Sequence, residues 1–396
     1  MSADDAITDD QRYILQTYQR PDFVLDHGEG CYLFDTAGRR YLDCVAGIAV
    51  NALGYGDQQV AQTIAEHAAR LIHTSNLYYT RPGGELARLL VERSFADRVF
   101  FSNSGAEAIE GALKFSRKYA REHGGEGKTT VVAFSGSFHG RTMGAVAITH
   151  REKYRLPFEP VMPGVRFAPF NDLTAARAAI TDDVCAVIVE PVQGEGGLSV
   201  ATPEFLRGLR ARCDEVGALL VLDEIQCGMG RTGTLWAYEP YGVVPDIMTV
   251  AKPLGGGLPI GAILMTQPVA DAIHAGEHGT TFGGGPLVTA VAKVVLERIA
   301  DPAFLAHVRE VADYLDEALH DFAGAHPQVL ELRGRGLMRG LRIDGSAAAV
   351  REAGHDAGVL LATAGEDVVR LLPPLIIERG QVDELVEKLG VAFRQL

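Results

Sequence analysis

The sequence predicts an α/β protein: a large domain built on a mostly parallel sheet, with a smaller α+β domain beside it. Two observations carry this. From about residue 98 to 265, short apolar runs alternate with helical stretches, the pattern of strand–helix units in a parallel sheet. The runs at 184–189, 219–222 and 247–251 are also almost entirely apolar, without polar alternation, as strands covered on both faces require. Beyond Pro286 the pattern changes. A long helical stretch to about Ala323 precedes short strands near 328–342 and 358–372, with helices near 346–357 and after Gly380. The expected division is 1–50, an N-terminal segment contributing to the small domain; 51–287, the large domain; and 288–396, the C-terminal small domain.

The elements follow in order. Residues 1–20 are polar and predict a loose arm or a short helix. Residues 31–35 and 40–43, split by Thr36-Ala37-Gly38-Arg39, predict a hairpin. Asp57 precedes Val60, Ile64, Ala68 and Leu71, an N-cap before an apolar helical stripe. Residues 98–101 form a strand that turns through Ser102-Asn103-Ser104-Gly105-Ala106 into a helix running to about Tyr119. Small residues at such a turn leave backbone N–H groups free to hold an anion. The strand at 129–134 is followed by Ser137-Phe138-His139-Gly140-Arg141-Thr142. The strand at 184–189 ends on Glu190-Pro191, then Gln193-Gly194-Glu195-Gly196-Gly197, and a helix over 203–217 leads into the strand at 219–222.

Composition narrows the class. The chain has 396 residues, enough for two substantial cores, with 47% hydrophobic and 22% charged residues, ordinary for a soluble globular protein. A net charge of −14 argues against a nucleic-acid partner, and no apolar run reaches membrane-spanning length. Five cysteines without a C-x-x-C pair predict free thiols in a reducing cytoplasm and no zinc site. Asp4, Asp5, Asp9 and Asp10 do not fit a basic targeting peptide. Two motifs are set aside. Gly228-Met229-Gly230-Arg231-Thr232-Gly233 matches G-x-G-x-x-G, but Trp236, Tyr238 and Pro240 follow where a helix should start. Gly127-Lys128-Thr129 resembles the end of a P-loop but precedes a strand.

The chemistry sits at two strand ends. The run at 219–222 ends on Asp223-Glu224, and the run at 247–251 ends on Lys252, with Gly255-Gly256-Gly257 beyond it. Ligands of open α/β sheets bind at the carboxyl ends of strands. A lysine there is a candidate Schiff-base nucleophile. An acid and a lysine so placed suit pyridoxal phosphate: Asp223 would keep the pyridine nitrogen protonated and Lys252 would anchor the aldehyde.

Six segments, in this order, resemble the class III (ω-type) pyridoxal phosphate aminotransferases. They are 103–108 (Asn-Ser-Gly-Ala-Glu-Ala), 138–142 (Phe-His-Gly-Arg-Thr), Glu190-Pro191, 222–226 (Leu-Asp-Glu-Ile-Gln), Ala251-Lys252 and 279–284 (Gly-Thr-Thr-Phe-Gly-Gly). Residues 47–54 and 73–80 are most similar to the acetylornithine group of that family. Two places depart from the family pattern: 54–58 reads Gly-Tyr-Gly-Asp-Gln in place of Gly-His-Cys-His-Pro, and Gly285 stands in place of an asparagine.

The resemblance implies the aspartate-aminotransferase-like fold type I and a homodimer with shared active sites. It implies Lys252 as Schiff-base lysine, Asp223 at the ring nitrogen, Gln226 near the ring hydroxyl and Phe138 on the ring face. Ser104, Gly105 and Ala106 would hold the phosphate, and Thr281 would reach the phosphate in the other subunit. Arg141 would grip the substrate's distal carboxylate. Arg370 would grip a second carboxylate, masked by Glu190 when not needed. Tyr18 and Ile48 would line the donor pocket. The implied reaction moves the δ-amino group of N2-acetylornithine to 2-oxoglutarate. Ornithine, succinylornithine or a lysine precursor is the alternative donor, and an aminomutase or racemase on the same fold is the rival reaction.

Overall fold

The Leu219–Asp223 strand is the fourth of seven in the central sheet of the computed structural model, which describes residues 3–395. The order is Arg98–Ser102, Gly261–Met265, Ile247–Val250, Leu219–Asp223, Val184–Val189, Thr130–Phe134 and Val165–Ala168. Strands 247–250, 219–223, 184–189, 130–134 and 165–168 pair in parallel, and 261–265 runs against both its neighbours. Successive side chains of a strand point to opposite faces. Here Leu220 and Leu222 enter one buried core while Leu219 and Val221 enter another. Both faces are dry, which is why the sequence shows no polar alternation. The parallel strands also bring their carboxyl ends to one edge.

The helix Gly105–Gly124 follows the first of these strands. Ser104 caps it, its Oγ accepting from the Glu107 N–H at 3.2 Å, while Glu107 Oε2 accepts from the Asn103 N–H at 2.5 Å. It extends past Tyr119 because Ala120 is still buried, and it stops at Gly125, whose φ is +90°. The stretch expected as one helix from Pro286 is two, Pro286–Ile299 and Pro302–Ala325. Asp301 Oδ1 caps the second by accepting from the Ala303 and Phe304 N–H groups, and Pro302 cannot donate into a continuing helix. Pro286–Ile299 packs on Gln58–Arg70 and on Arg81–Glu92. The latter helix is obscured in sequence by Pro82, Gly83 and Gly84, yet a proline in the first turn costs no hydrogen bond.

Two further sheets complete the molecule. Leu25–Glu29, Tyr32–Asp35 and Arg40–Asp43 form an antiparallel meander, and Val359–Leu360 joins it parallel to Arg40–Asp43. The first strand has no apolar pattern and is an exposed edge. Val329–Arg335, Met338–Ile343, Val368–Leu371 and Ala362–Thr363 make an antiparallel sheet. The N-terminal helix Ala3–Tyr13 buries none of its residues. No helix among the described residues is long and apolar enough to cross a membrane.

The two set-aside motifs have structural uses. Lys128 is buried and its Nζ donates to the carbonyls of Asp182 and Val216 at 3.1 and 2.6 Å. Within the glycine-rich loop after Asp223, Arg231 is 1% exposed. Its Nη1 donates to the carbonyls of Leu337 and Pro373 at 3.1 and 2.5 Å, tying that loop to the C-terminal elements. Arg231→Ala should therefore lower stability by about 2–6 kcal/mol, since two buried carbonyls each lose a partner at about 1–3 kcal/mol. Denaturant unfolding measures this. An unshifted midpoint would mean that the loop is held by other contacts.

Candidate active site

The carboxyl-end side of the sheet and the N-terminus of the 105–124 helix enclose a cavity of about 430 Å³, lined by Gly105, Ala106, Phe138, Asp223 and Lys252 among others. The first N–H groups of a helix have no intrahelical acceptor, and the helix dipole adds positive potential there. Gly105 is needed at this point. A Cβ on it would lie 2.9 Å from Ile225 Cδ1 and Cγ2, so a larger residue would push the helix end away from the strand end that carries Asp223. Ser104 also lines the cavity, with its hydroxyl engaged in the cap.

Asp223 is 3% exposed, and each of its oxygens has a partner. Its Oδ2 is 2.7 Å from His139 Nδ1, and its Oδ1 accepts from the Ile225 N–H at 3.0 Å and from Thr249 Oγ1 at 3.4 Å. Burial works against charge on His139, but the hydrogen bond and charge of Asp223, with Glu190 beyond, raise the imidazole above its ordinary range. His139 Nε2 is buried with no hydrogen-bond partner among the described residues. His139 is a residue that sequence reasoning missed; its position directly after Phe138, past the end of the neighbouring strand, was the available signal.

Lys252 opens a short turn, Lys252–Gly255, after the Ile247–Val250 strand. Its ammonium makes no hydrogen bond or ion pair among the described residues. Desolvation in the cavity lowers it below the ordinary lysine range, against the opposing charges of Asp223 and Glu195. Such an amine is available as a nucleophile. Among the described residues no group of three or more His, Cys, Asp or Glu side chains is placed to hold a metal ion.

The structure corrects the expected partner of Arg370. Its Nη1 donates to Glu195 Oε1 at 2.5 Å, to the Gly194 carbonyl at 3.0 Å and to Gln226 Oε1 at 3.2 Å. Glu190 is not its partner. Glu190 Oε2 accepts from the Phe138 N–H and Oε1 from the Gly194 N–H, each at 3.1 Å, and burial pushes its carboxyl up to about 7. The reason is the chain path. Glu190 stays on the cavity wall at the strand end with both oxygens taken by backbone N–H groups, whereas the turn through Gly194 brings Glu195 to Arg370 on the Val368–Leu371 strand. Gln193-Gly194-Glu195 was visible in the sequence, but nothing local distinguishes its acid from Glu190.

The remaining expected residues divide. Phe138, Arg141 and Gln226 line the cavity. Thr281 is exposed, next to Phe282, which is 65% exposed. Tyr18 is 72% exposed, and neither it nor Thr281 is on the cavity wall. Ile48 is 43% exposed with φ of +64°, and Val50 is the residue of that segment that reaches the cavity. The backbone is left-handed from Ala46 to Ala49, which a linear pattern does not reveal.

A lysine and an acid at adjacent strand ends thus share one cavity with a helix N-terminus. The chain belongs to the class-III aminotransferase family, whose model matches residues 13–393. It has fold type I and is an aminotransferase. It is 52% identical over 381 residues to the mitochondrial acetylornithine aminotransferase of Alnus glutinosa, covering 95% of this chain and 84% of that protein. It is 45% identical over 394 residues to the succinylornithine transaminase of Yersinia enterocolitica, covering 97% and 95%. It matches the ornithine aminotransferase of Toxoplasma gondii with a TM-score of 0.94 at 31% identity, covering 99% of this chain and 94% of that one, in a structure with partial occupancy of PLP at its active site.

A double-mutant cycle on unfolding free energy tests the corrected ion pair. Arg370→Ala with Glu195→Ala should give a coupling of about 1.5–3 kcal/mol. Arg370→Ala with Glu190→Gln should give a coupling near zero. A larger coupling to Glu190 would restore the expected pair.

Proposed function

We propose that this enzyme transfers the δ-amino group of N2-acetylornithine to 2-oxoglutarate, using pyridoxal 5′-phosphate and giving N-acetylglutamate 5-semialdehyde and glutamate. One observation carries the chemistry: Lys252, without a hydrogen-bond or ion-pair partner among the described residues, shares a cavity with an Asp223 held by His139. The donor is supported by the names of the relatives at 52% and 45% identity, both of which act on ornithine derivatives acylated on nitrogen.

The cavity residues suit the cofactor. Gly105 and Ala106 would hold the phosphate at the helix N-terminus, with Ser104 fixing the turn, and Phe138 would cover a ring face. Asp223 would take the ring nitrogen, as an acceptor that His139 keeps in place. Gln226 already accepts from Arg370 through Oε1, which leaves its Nε2 as donor toward the ring hydroxyl. When bound, the cofactor supplies an electrophilic aldehyde carbon and a ring that accepts an electron pair. Lys252 would hold the aldehyde carbon through Nζ, which desolvation favours as a neutral amine. The same Nζ, when free, would take the proton from the substrate carbon that bears the amine and return it at the cofactor carbon that receives the nitrogen.

The two arginines separate the two substrates. Arg141 would bind the α-carboxylate of the acylated donor, and the same group would bind the distal carboxylate of glutamate. Arg370, neutralised by Glu195, would stay masked for the donor and be taken over by glutamate's α-carboxylate. Tyr18 and Ile48 stand away from the cavity of a single chain; a role for either in the donor pocket requires a second subunit or a movement of its segment. Thr281 would act across the subunit boundary. A homodimer is supported by exposed apolar surface at Leu77, Tyr79 and Phe282, which are 84%, 107% and 65% exposed. Five buried free thiols suit a reducing cytoplasm.

Stopped-flow half-reactions test the proposal. Cofactor-loaded enzyme mixed with N2-acetylornithine should convert its absorbance with higher efficiency than with ornithine or N2-succinylornithine. Arg370→Ala should weaken the glutamate half by about tenfold to a hundredfold, the value of one charge-assisted contact of about 1.5–3 kcal/mol, and the donor half far less. Preference for free ornithine would overturn the donor assignment, and equal losses in both halves would overturn the masking role of Glu195.

A further inference from the structure

Arg141 is exposed at the cavity and makes no hydrogen bond or ion pair among the described residues. It is nevertheless held. Its Cζ lies 3.6 Å from the centroid of the Tyr154 ring, and 5.6 Å from that of Phe138. The two rings meet edge to face, with centroids 5.9 Å apart and planes at 82°. A guanidinium lying on a ring face is attracted by the ring quadrupole without using any of its five N–H donors. An ion pair would have fixed Arg141 equally well, but a carboxylate substrate would then have had to displace the partner.

The ring is itself anchored. Tyr154 lies on the four-residue helix Glu152–Arg155. Arg155 Nη1 donates to the carbonyls of Thr149 and His150, both at 3.1 Å. Arg151 Nη2 donates to the carbonyl of Glu195, so the same turn is tied to the loop whose acid meets Arg370. On the other side, Glu110 Oε1 accepts from the Gly144 and Ala145 N–H groups at 2.8 and 3.1 Å, fixing the start of the helix that follows Arg141. The Tyr154 hydroxyl makes no hydrogen bond among the described residues, so the ring face is the part of the side chain in use.

We propose that Tyr154 is a positioning residue for substrate binding: its ring is a shelf that presents Arg141, with all its donors free, to the carboxylate common to both substrates. This rests on the reading of Arg141 as the carboxylate clamp. Arg370, held by an acid that must be displaced, and Arg141, held by a ring that need not be, would then differ in the way that a part-time and a full-time carboxylate site should.

The test uses the cofactor-loaded enzyme and two readouts: the dissociation constant of glutarate, a dicarboxylate without an amine, by calorimetry, and steady-state KM and kcat for glutamate and N2-acetylornithine. Tyr154→Leu and Tyr154→Met remove the ring face. Both should weaken glutarate and raise both KM values by about three- to thirtyfold. kcat should stay within about twofold, as for loss of uniform binding. Tyr154→Phe should match the parent. Arg141→Ala, run alongside, should lose more than either truncation. If Arg141→Ala loses affinity while the truncations do not, or if Tyr154→Phe loses as much as Tyr154→Leu, the shelf is overturned. If Arg141→Ala itself leaves glutarate binding and both KM values unchanged, the clamp reading beneath it falls instead.

Discussion

The buried contact between Asp223 and His139 is the constraint around which the site is built. A carboxylate taken out of water is costly unless its oxygens are satisfied. Asp223 meets that requirement with one imidazole, one backbone N–H and one hydroxyl, which arrive from three different segments. His139 in turn is placed by its backbone N–H, donated to Thr149 Oγ1 at 3.0 Å. Moving any of these elements would leave a buried charge short of partners. The acid is thereby fixed in position, as is required of a group that is to act on a ligand atom and not on solvent.

Around that fixed point the sheet distributes tasks by strand. The 219–223 strand delivers Asp223, and its parallel neighbour at 247–250 delivers Lys252. On the other side, 184–189 delivers Glu190 and the turn to Glu195, and 130–134 leads to Phe138, His139 and Arg141. A separate sheet brings Arg370 on Val368–Leu371. The site is therefore polarised. Asp223 and Glu190 are buried and multiply bonded, while its two arginines are held by an acid in one case and by an aromatic face in the other. On the proposed reading the interior performs chemistry that is the same in both half-reactions, and the arginines absorb the difference between the substrates.

How much of this was legible in the sequence depended on whether the determinant was local. Lys252 and Asp223 stand out because each ends an apolar run, and the run itself fixes strand, burial and direction. The Ser104-Gly105-Ala106 turn is legible for the same reason, as a cap followed by a helix. The Arg370 partner was not. Glu190 and Glu195 are five residues apart, and which one meets an arginine 175 residues downstream from Glu195 is set by the path of a turn through Gly194. His139 was hidden because its partner is 84 residues away. The break at Asp301-Pro302 was in plain view as an N-cap and a proline, but the apolar stripe on either side masked it. Ile48 is a different case: a linear pattern does not show that its backbone is left-handed, and it is not on the cavity wall of a single chain.

On the proposed reading, the His139-held carboxylate of Asp223 would set the protonation of the cofactor's ring nitrogen. The direct measurement is the nitrogen-15 chemical shift of ring-labelled pyridoxal phosphate bound to the enzyme, compared between the parent and Asp223→Asn. A protonated ring nitrogen throughout the neutral pH range in the parent, and an unprotonated one in Asp223→Asn, is the predicted result. An unprotonated nitrogen in the parent, or a shift unaffected by the substitution, would contradict it.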